Sequence, residues 1–224
     1  MRKLTAARDS VKPVSPRPYH LGKRQAAVSE GRRRILDAAR ALLRDLARYP
    51  DFTVDAVARR ADVARATVYY QFRSKTGLLE ALCDGLAEDG QMGDLPRAFA
   101  EPDPRAAVHQ LIRVFAGFWA ADRVVMRRLR ALAALDPDVH DVITARDERR
   151  RQGLEVLAGR FGPAGDARRA DAVRALLALT SFESFDTMAG PDGDLGDAVP
   201  LVTSLADTVL TNLAGHWRLY PPGL

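Results

Sequence analysis

The chain has 224 residues, 47% of them apolar and 28% charged, enough for one large domain or two smaller ones with proper cores. No apolar run approaches the roughly 18 residues of a membrane span, and the opening MRKLTAARDSVKP is basic without the apolar centre of a secretory signal. The lone cysteine, Cys83, excludes an intrachain disulfide or a cysteine-based metal cluster and fits a reducing, cytoplasmic compartment.

The net charge of +5 conceals a split: residues 1–75 hold 18 Lys/Arg against 7 Asp/Glu, and residues 76–224 hold 16 against 22. One end is built to meet a polyanion, as nucleic-acid binders are, and the other is not.

In chain order, residues 1–28 contain Pro13, Pro16 and Pro18 with few apolar groups and read as a disordered basic arm. From Ser29, a possible cap, Ile35, Leu36, Ala39, Leu42, Leu43 and Leu46 recur at helical spacing until Tyr49-Pro50-Asp51 breaks the pattern. Thr53 is a good N-cap for a second helix with Val54, Val57, Ala58 and Ala61 on one face. Asp62-Val63 makes a turn, a third helix runs from about Ala64 to Phe72, and Ser74 caps a fourth starting near Lys75. Residues 29–80 thus form a small helix-turn-helix head.

Gly90 to Pro102 reads as a loop. Beyond it Asp103-Pro104 opens one helix and Asp122 caps the next; Asp136-Pro137 opens a long one ending at Phe161-Gly162. Asp166 caps a helix ending at Ala189-Gly190-Pro191, and the last runs from about Ala198 to His216. No stretch alternates as a strand does. The fold class is all-α, with residues 81–224 as a larger helical body.

A DNA-reading helix buries one face and turns the other into the major groove. In the third helix Val68 and Phe72, at i,i+4, supply the buried face and leave Arg65, Ala66, Thr67, Tyr69 and Tyr70 for the groove and its walls. Arg65 can reach guanine O6 and N7 with two hydrogen bonds. Thr67 and the tyrosine hydroxyls can bond phosphate oxygens without reading sequence. Thr53 and Lys75 stand at helix N-termini, where backbone N–H groups also favour a phosphate. The bland alternative is an ordinary amphipathic helix pair.

The same stretch resembles the DNA-binding domain of TetR-family transcriptional regulators, whose pattern runs roughly A-G-V-S-x-x-T-[LVI]-Y-x-[HY]-F-x-[SN]-K. Here Ala61-Asp62-Val63-Ala64-Arg65-Ala66-Thr67-Val68-Tyr69 is followed by Tyr70-Gln71-Phe72-Arg73-Ser74-Lys75; the second aromatic or histidine falls on Tyr70 or Gln71. Upstream, Thr53-Val54-Asp55-Ala56-Val57-Ala58 resembles the family's preceding helix. The likeness covers about Arg32 to Leu82. Three positions depart from it: Asp62 stands for glycine, Ala64 for a capping serine, and Gly77 weakens the start of the fourth helix.

The resemblance implies Thr53, Arg65, Thr67, Tyr69, Tyr70 and Lys75 as DNA contacts, a double-stranded operator as partner and a ligand-responsive, repressor-like role. The arm either adds contacts through Lys12, Arg17, Lys23 and Arg24 or stays a solvated tail. The resemblance also implies a homodimer through the last two helices. Their apolar stripes are Val173, Leu176, Leu177 and Thr180, then Val202, Leu205, Ala206, Val209, Leu210, Leu213 and Trp217; each can equally be plain core.

In the body, Phe115, Phe118, Trp119, Met126, Phe182, Phe185 and Met188 gather large apolar groups, either core or the lining of a site for a small, apolar effector. Phosphate-loop, nucleophile-elbow and metalloprotease motifs are missing, and the four histidines are isolated, so no catalytic, cofactor or metal site is assigned. The competing reading is a helical small-molecule-binding protein or enzyme whose head does not read DNA.

Overall fold

In a computed structural model, residues 19–45, 52–162 and 165–214 are described, and among them every regular element is helical. The head comprises α1 (Tyr19–Arg44), α2 (Val54–Arg60) and α3 (Arg65–Phe72) and the start of α4 (Lys75–Asp89). The body continues with α5 (Leu95–Ala100), α6 (Pro104–Ala121), α7 (Arg123–Ala133), α8 (Pro137–Ala158), α9 (Asp166–Leu179), α10 (Phe182–Ala189) and α11 (Val199–Leu213).

Local chemistry sets most boundaries. Thr53 accepts a hydrogen bond from Ala56 N at 3.1 Å and caps α2; Ser74 accepts from Gly77 N at 2.9 Å and caps α4. Asp103 and Asp122 cap α6 and α7 in the same way. Asp136 caps α8 through two backbone N–H groups, with Pro137 in the first turn. The core runs unbroken from Ile35, Val57, Val68 and Leu79 in the head to Leu111, Leu129, Leu154, Leu176 and Leu210 in the body.

Several expectations need correcting. The arm expected over 1–28 is helical from Tyr19, one residue past Pro18, the last of its prolines; Lys12 and Arg17 lie outside the described residues. The loop expected over Gly90–Pro102 contains α5, with Pro96 in its first turn and Ala98 fully buried. The helix expected over 166–189 is two: Thr180 closes α9, and Ser181 caps α10 by accepting from Ser184 N at 3.2 Å. The N-cap of α9 is Gly165, not Asp166.

Gly77 does more than loosen a turn. A Cβ there would stand 2.2 Å from the Phe72 carbonyl oxygen, so the tight α3–α4 junction demands the missing side chain. Gly90, closing α4, has a similar reason: a Cβ would stand 2.5 Å from Phe118 Cα, so α4 and α6 meet backbone to backbone there.

Candidate nucleic-acid interface and effector cleft

The short helix α3 sits between two non-glycine residues of positive φ, Asp62 at 52° and Arg73 at 66°. Asp62 stands at the position expected to need a left-handed backbone, which aspartate tolerates at some cost. Ala64 has the extended backbone of an N-cap but no side-chain bond to give, so α3 begins uncapped. Val68 and Phe72 are buried and fix the rotation of the helix. Arginines of α1 secure its surroundings: Arg32 donates to the Gln71 carbonyl at 3.0 Å and lies 4.3 Å from the Phe72 ring centroid. Arg34 donates to the Ala61 carbonyl at 3.3 Å. Both place a cation at a helix C-terminus.

With that face buried, Arg65, Ala66, Tyr69 and Tyr70 are exposed, Tyr70 to 81%, and Thr67 is half-buried. Arg65 bridges the two helices of the motif: it pairs with Asp55 of α2 at 3.2 Å and donates to the Tyr69 hydroxyl at 3.3 Å. The Tyr69 hydroxyl and the Asp55 carboxylate together hold the Arg65 pKa above its ordinary value. Thr53 is exposed beside them at the start of α2. The expected contacts thus gather on one open face, with Lys75 the exception. Its ammonium turns to the body, pairing with Asp136 and lying 3.9 Å from Asp138, while Thr76 donates to Asp138 at 3.0 Å. Sequence spacing gives no hint of this, because the carboxylates lie some sixty residues away.

A second tie joins head to body at Asp122, whose side chain is 4% exposed. It receives Arg40 at 2.6 Å and Arg44 at 2.7 Å, both from α1, and caps α7 through Val125 N. Burial pushes its carboxyl up, but the hydrogen bonds from Arg40, Arg44 and Val125 more than offset that and leave it below the ordinary aspartate range.

In the body, a cleft of about 340 Å³ opens between α5, α6 and α8. Phe115, Phe118 and Trp119 line it as expected. The other three expected residues do not: Met126 faces a small void of about 30 Å³ next door, and Phe182 and Phe185 are core. Phe182 packs edge-on against Trp119, 5.9 Å between centroids. Periodicity identified them as buried but not what buries them. The missed lining comes from α5, which had read as loop, and from Arg146, Asp147, Arg149 and Arg150 of α8. The run RDERRR was the available signal: positions 146, 150 and 153 share one helix face.

The apolar stripes proposed for dimerisation are largely internal. Val173, Leu176 and Thr180 of α9 and Val202, Ala206, Leu210 and Leu213 of α11 are buried within the chain itself. What α11 shows outward is Leu201 and Leu205, 49% and 39% exposed. Trp217 lies outside the described residues. Cys83 is buried and its thiol is pushed up to about 11 by that burial, a small core residue without thiolate character. Among the described residues no helix is long and apolar enough to cross a membrane, and no cluster of ligating side chains could hold a metal ion.

Residues 35–82 match the family described as bacterial regulatory proteins, tetR family. No curated protein matches the chain. Solved structures of similar fold include a candidate transcriptional regulator from Saccharomonospora viridis in complex with choline, 20% identical with a TM-score of 0.58, covering 82% of this chain and 97% of that one. A TetR transcription regulator from Haloarcula marismortui is 20% identical with a TM-score of 0.53, covering 84% and 96%. A TetR-like transcriptional regulator from Rhodococcus sp. RHA1 is 22% identical with a TM-score of 0.51, covering 83% and 96%.

Proposed function

We propose that this chain, whose residues 35–82 match the tetR family of bacterial regulatory proteins, is a member of that family: a homodimeric, ligand-responsive repressor that reads a pseudo-palindromic operator with α3. The observation that carries this is the outer face of α3: Arg65, Ala66, Tyr69 and Tyr70 exposed together, within the first third of the chain, which holds the excess of cations. Arg65 serves as the base reader once it exchanges Asp55 for a guanine edge. Thr53, Thr67 and the tyrosine hydroxyls position the helix on phosphates. Lys75 reaches a phosphate only by leaving Asp136.

A dimer gives two such helices about one DNA turn apart. Leu201, together with Leu205 from the expected stripe, is what α11 offers a second copy as exposed apolar surface. The effector occupies the cleft between α5, α6 and α8. The Saccharomonospora viridis neighbour holds choline, a cation; three arginines on the cleft here argue for a different ligand.

Selection of bound fragments from random duplexes tests the reading, followed by a salt titration on the enriched sequence. The expected result is one inverted repeat, with binding that weakens steeply as salt rises and counterions are no longer released to advantage. Enrichment of no sequence, with weak salt-insensitive binding, would favour a helical small-molecule-binding protein whose head does not read DNA.

A further inference from the structure

The cleft wall contains an arginine with an unmet need. The Arg150 side chain is 4% exposed, deeper than any other guanidinium in the ion pairs of the body. One terminal nitrogen donates to the Thr180 carbonyl at 2.6 Å and the other to Asp147 at 3.1 Å. Its Nε is buried with no hydrogen-bond partner. Asp147 is not Arg150's own counter-ion, because its other oxygen receives Arg130 at 2.8 Å. Around this point Arg130, Arg146, Arg149 and Arg150 face Asp84, Asp147 and Glu183, four cations to three carboxylates. Arg149 is exposed and has no carboxylate among the described residues. Burial lowers the Arg150 pKa to about 10, partly offset by Asp147, so the group stays charged at neutral pH yet poorly compensated.

The rest of the lining is apolar. Phe115 and Trp119 flank the Arg150 guanidinium, with centroids 5.6 and 5.7 Å from its central carbon, and Phe99, Phe118 and Leu95 extend the surface. The volume, about 340 Å³, falls in the range of roughly 300–1,000 Å³ typical of small-molecule sites. A buried donor without a partner costs free energy that an acceptor recovers, and the exposed cation beside it, Arg149, favours an acceptor that is anionic.

We propose that the cleft binds a small amphipathic carboxylate, its headgroup on Arg150 and Arg149 and its apolar tail against Phe99, Phe115, Phe118 and Trp119. The proposal rests on reading this cleft as the effector site and adds the ligand's chemical class. A neutral headgroup can accept a hydrogen bond but leaves the cations uncompensated, and a cationic one meets them as repulsion.

The test is calorimetric titration of the full chain with three probes built on a ten-carbon chain: decanoate, decanol and decyltrimethylammonium. Decanoate is expected to bind, decanol about tenfold or more weaker, and the ammonium not at all. Arg150→Gln should erase the preference for decanoate over decanol. If thermal melting shows that variant unfolded, Arg149→Gln supplies the same comparison from an exposed position, with a several-fold loss for decanoate alone. Equal binding of decanoate and decanol, or binding of neither, overturns the proposal. Anisotropy of a labelled operator duplex without ligand is measured in parallel. Tight DNA binding alongside a failed titration sinks the ligand class and spares the regulator; loss of DNA binding alongside a positive titration does the reverse.

Discussion

Two arginines show how differently the two regions use the same side chain. Arg65 in the head is 59% exposed and holds Asp55 in an open pair at 3.2 Å. Arg150 in the body is 4% exposed, flanked by two aromatic rings and short of a partner. An exposed pair contributes little to stability and exchanges partners readily, which suits the proposed contact with DNA. A buried guanidinium commits a large desolvation cost, which suits a site that distinguishes ligands by charge. Changes on the head's outer face should therefore alter recognition with little effect on folding. Changes at buried charges should cost stability, and at Arg150 ligand preference as well.

The largest expected effect lies at Asp122. Asp122→Ala removes the cap of α7 and leaves Arg44 without its carboxylate and Arg40 with Asp89 alone, and urea unfolding should show a loss of about 2–3 kcal/mol. Its folded pKa lies below the ordinary 3.8. The contribution is therefore fully present above that value and lost as pH falls through the folded pKa, so the gap between parent and variant should close only below it. A variant as stable as the parent at pH 7 would break the comparison.

Next, Arg65→Ala should blur base preference by about 5- to 100-fold in competition with a mutated operator. Tyr70→Phe should weaken all duplexes evenly. Neither should move the melting temperature, since both side chains are exposed. Asp136→Asn frees Lys75 while keeping a good N-cap on α8. DNA affinity should rise a few-fold, with a steeper salt dependence, as an ammonium becomes free for phosphate. The smallest effect is a gain: Ala64→Ser restores a cap to α3 and should add about 1 kcal/mol to stability.

The head was legible because its signals are local. Thr53 and Ser74 cap the helices they were expected to cap, and Val68 and Phe72 bury the face expected of them. Asp62 and Ala64 carry the backbone strain and the missing cap that their departures from the family pattern foretold. The body was legible only as helices. Phe185 and Val202 were recognisable as apolar, but whether such a residue lines a cleft, meets a second copy or fills the core depends on packing partners far along the chain. The same holds for Lys75, which helix position marks as a phosphate anchor and tertiary structure gives to Asp136.

The close approach of Gly90 to Phe118 has a mechanical consequence. The 15-residue α4 is a rod about 22 Å long, planted at Lys75 beside α3 and ending in hard backbone contact with the cleft's aromatic wall. No pliable side chain lies between the rod's end and Phe118 to absorb a displacement. A ligand that shifts Phe118 therefore pushes on a strut whose far tip carries the junction to α3.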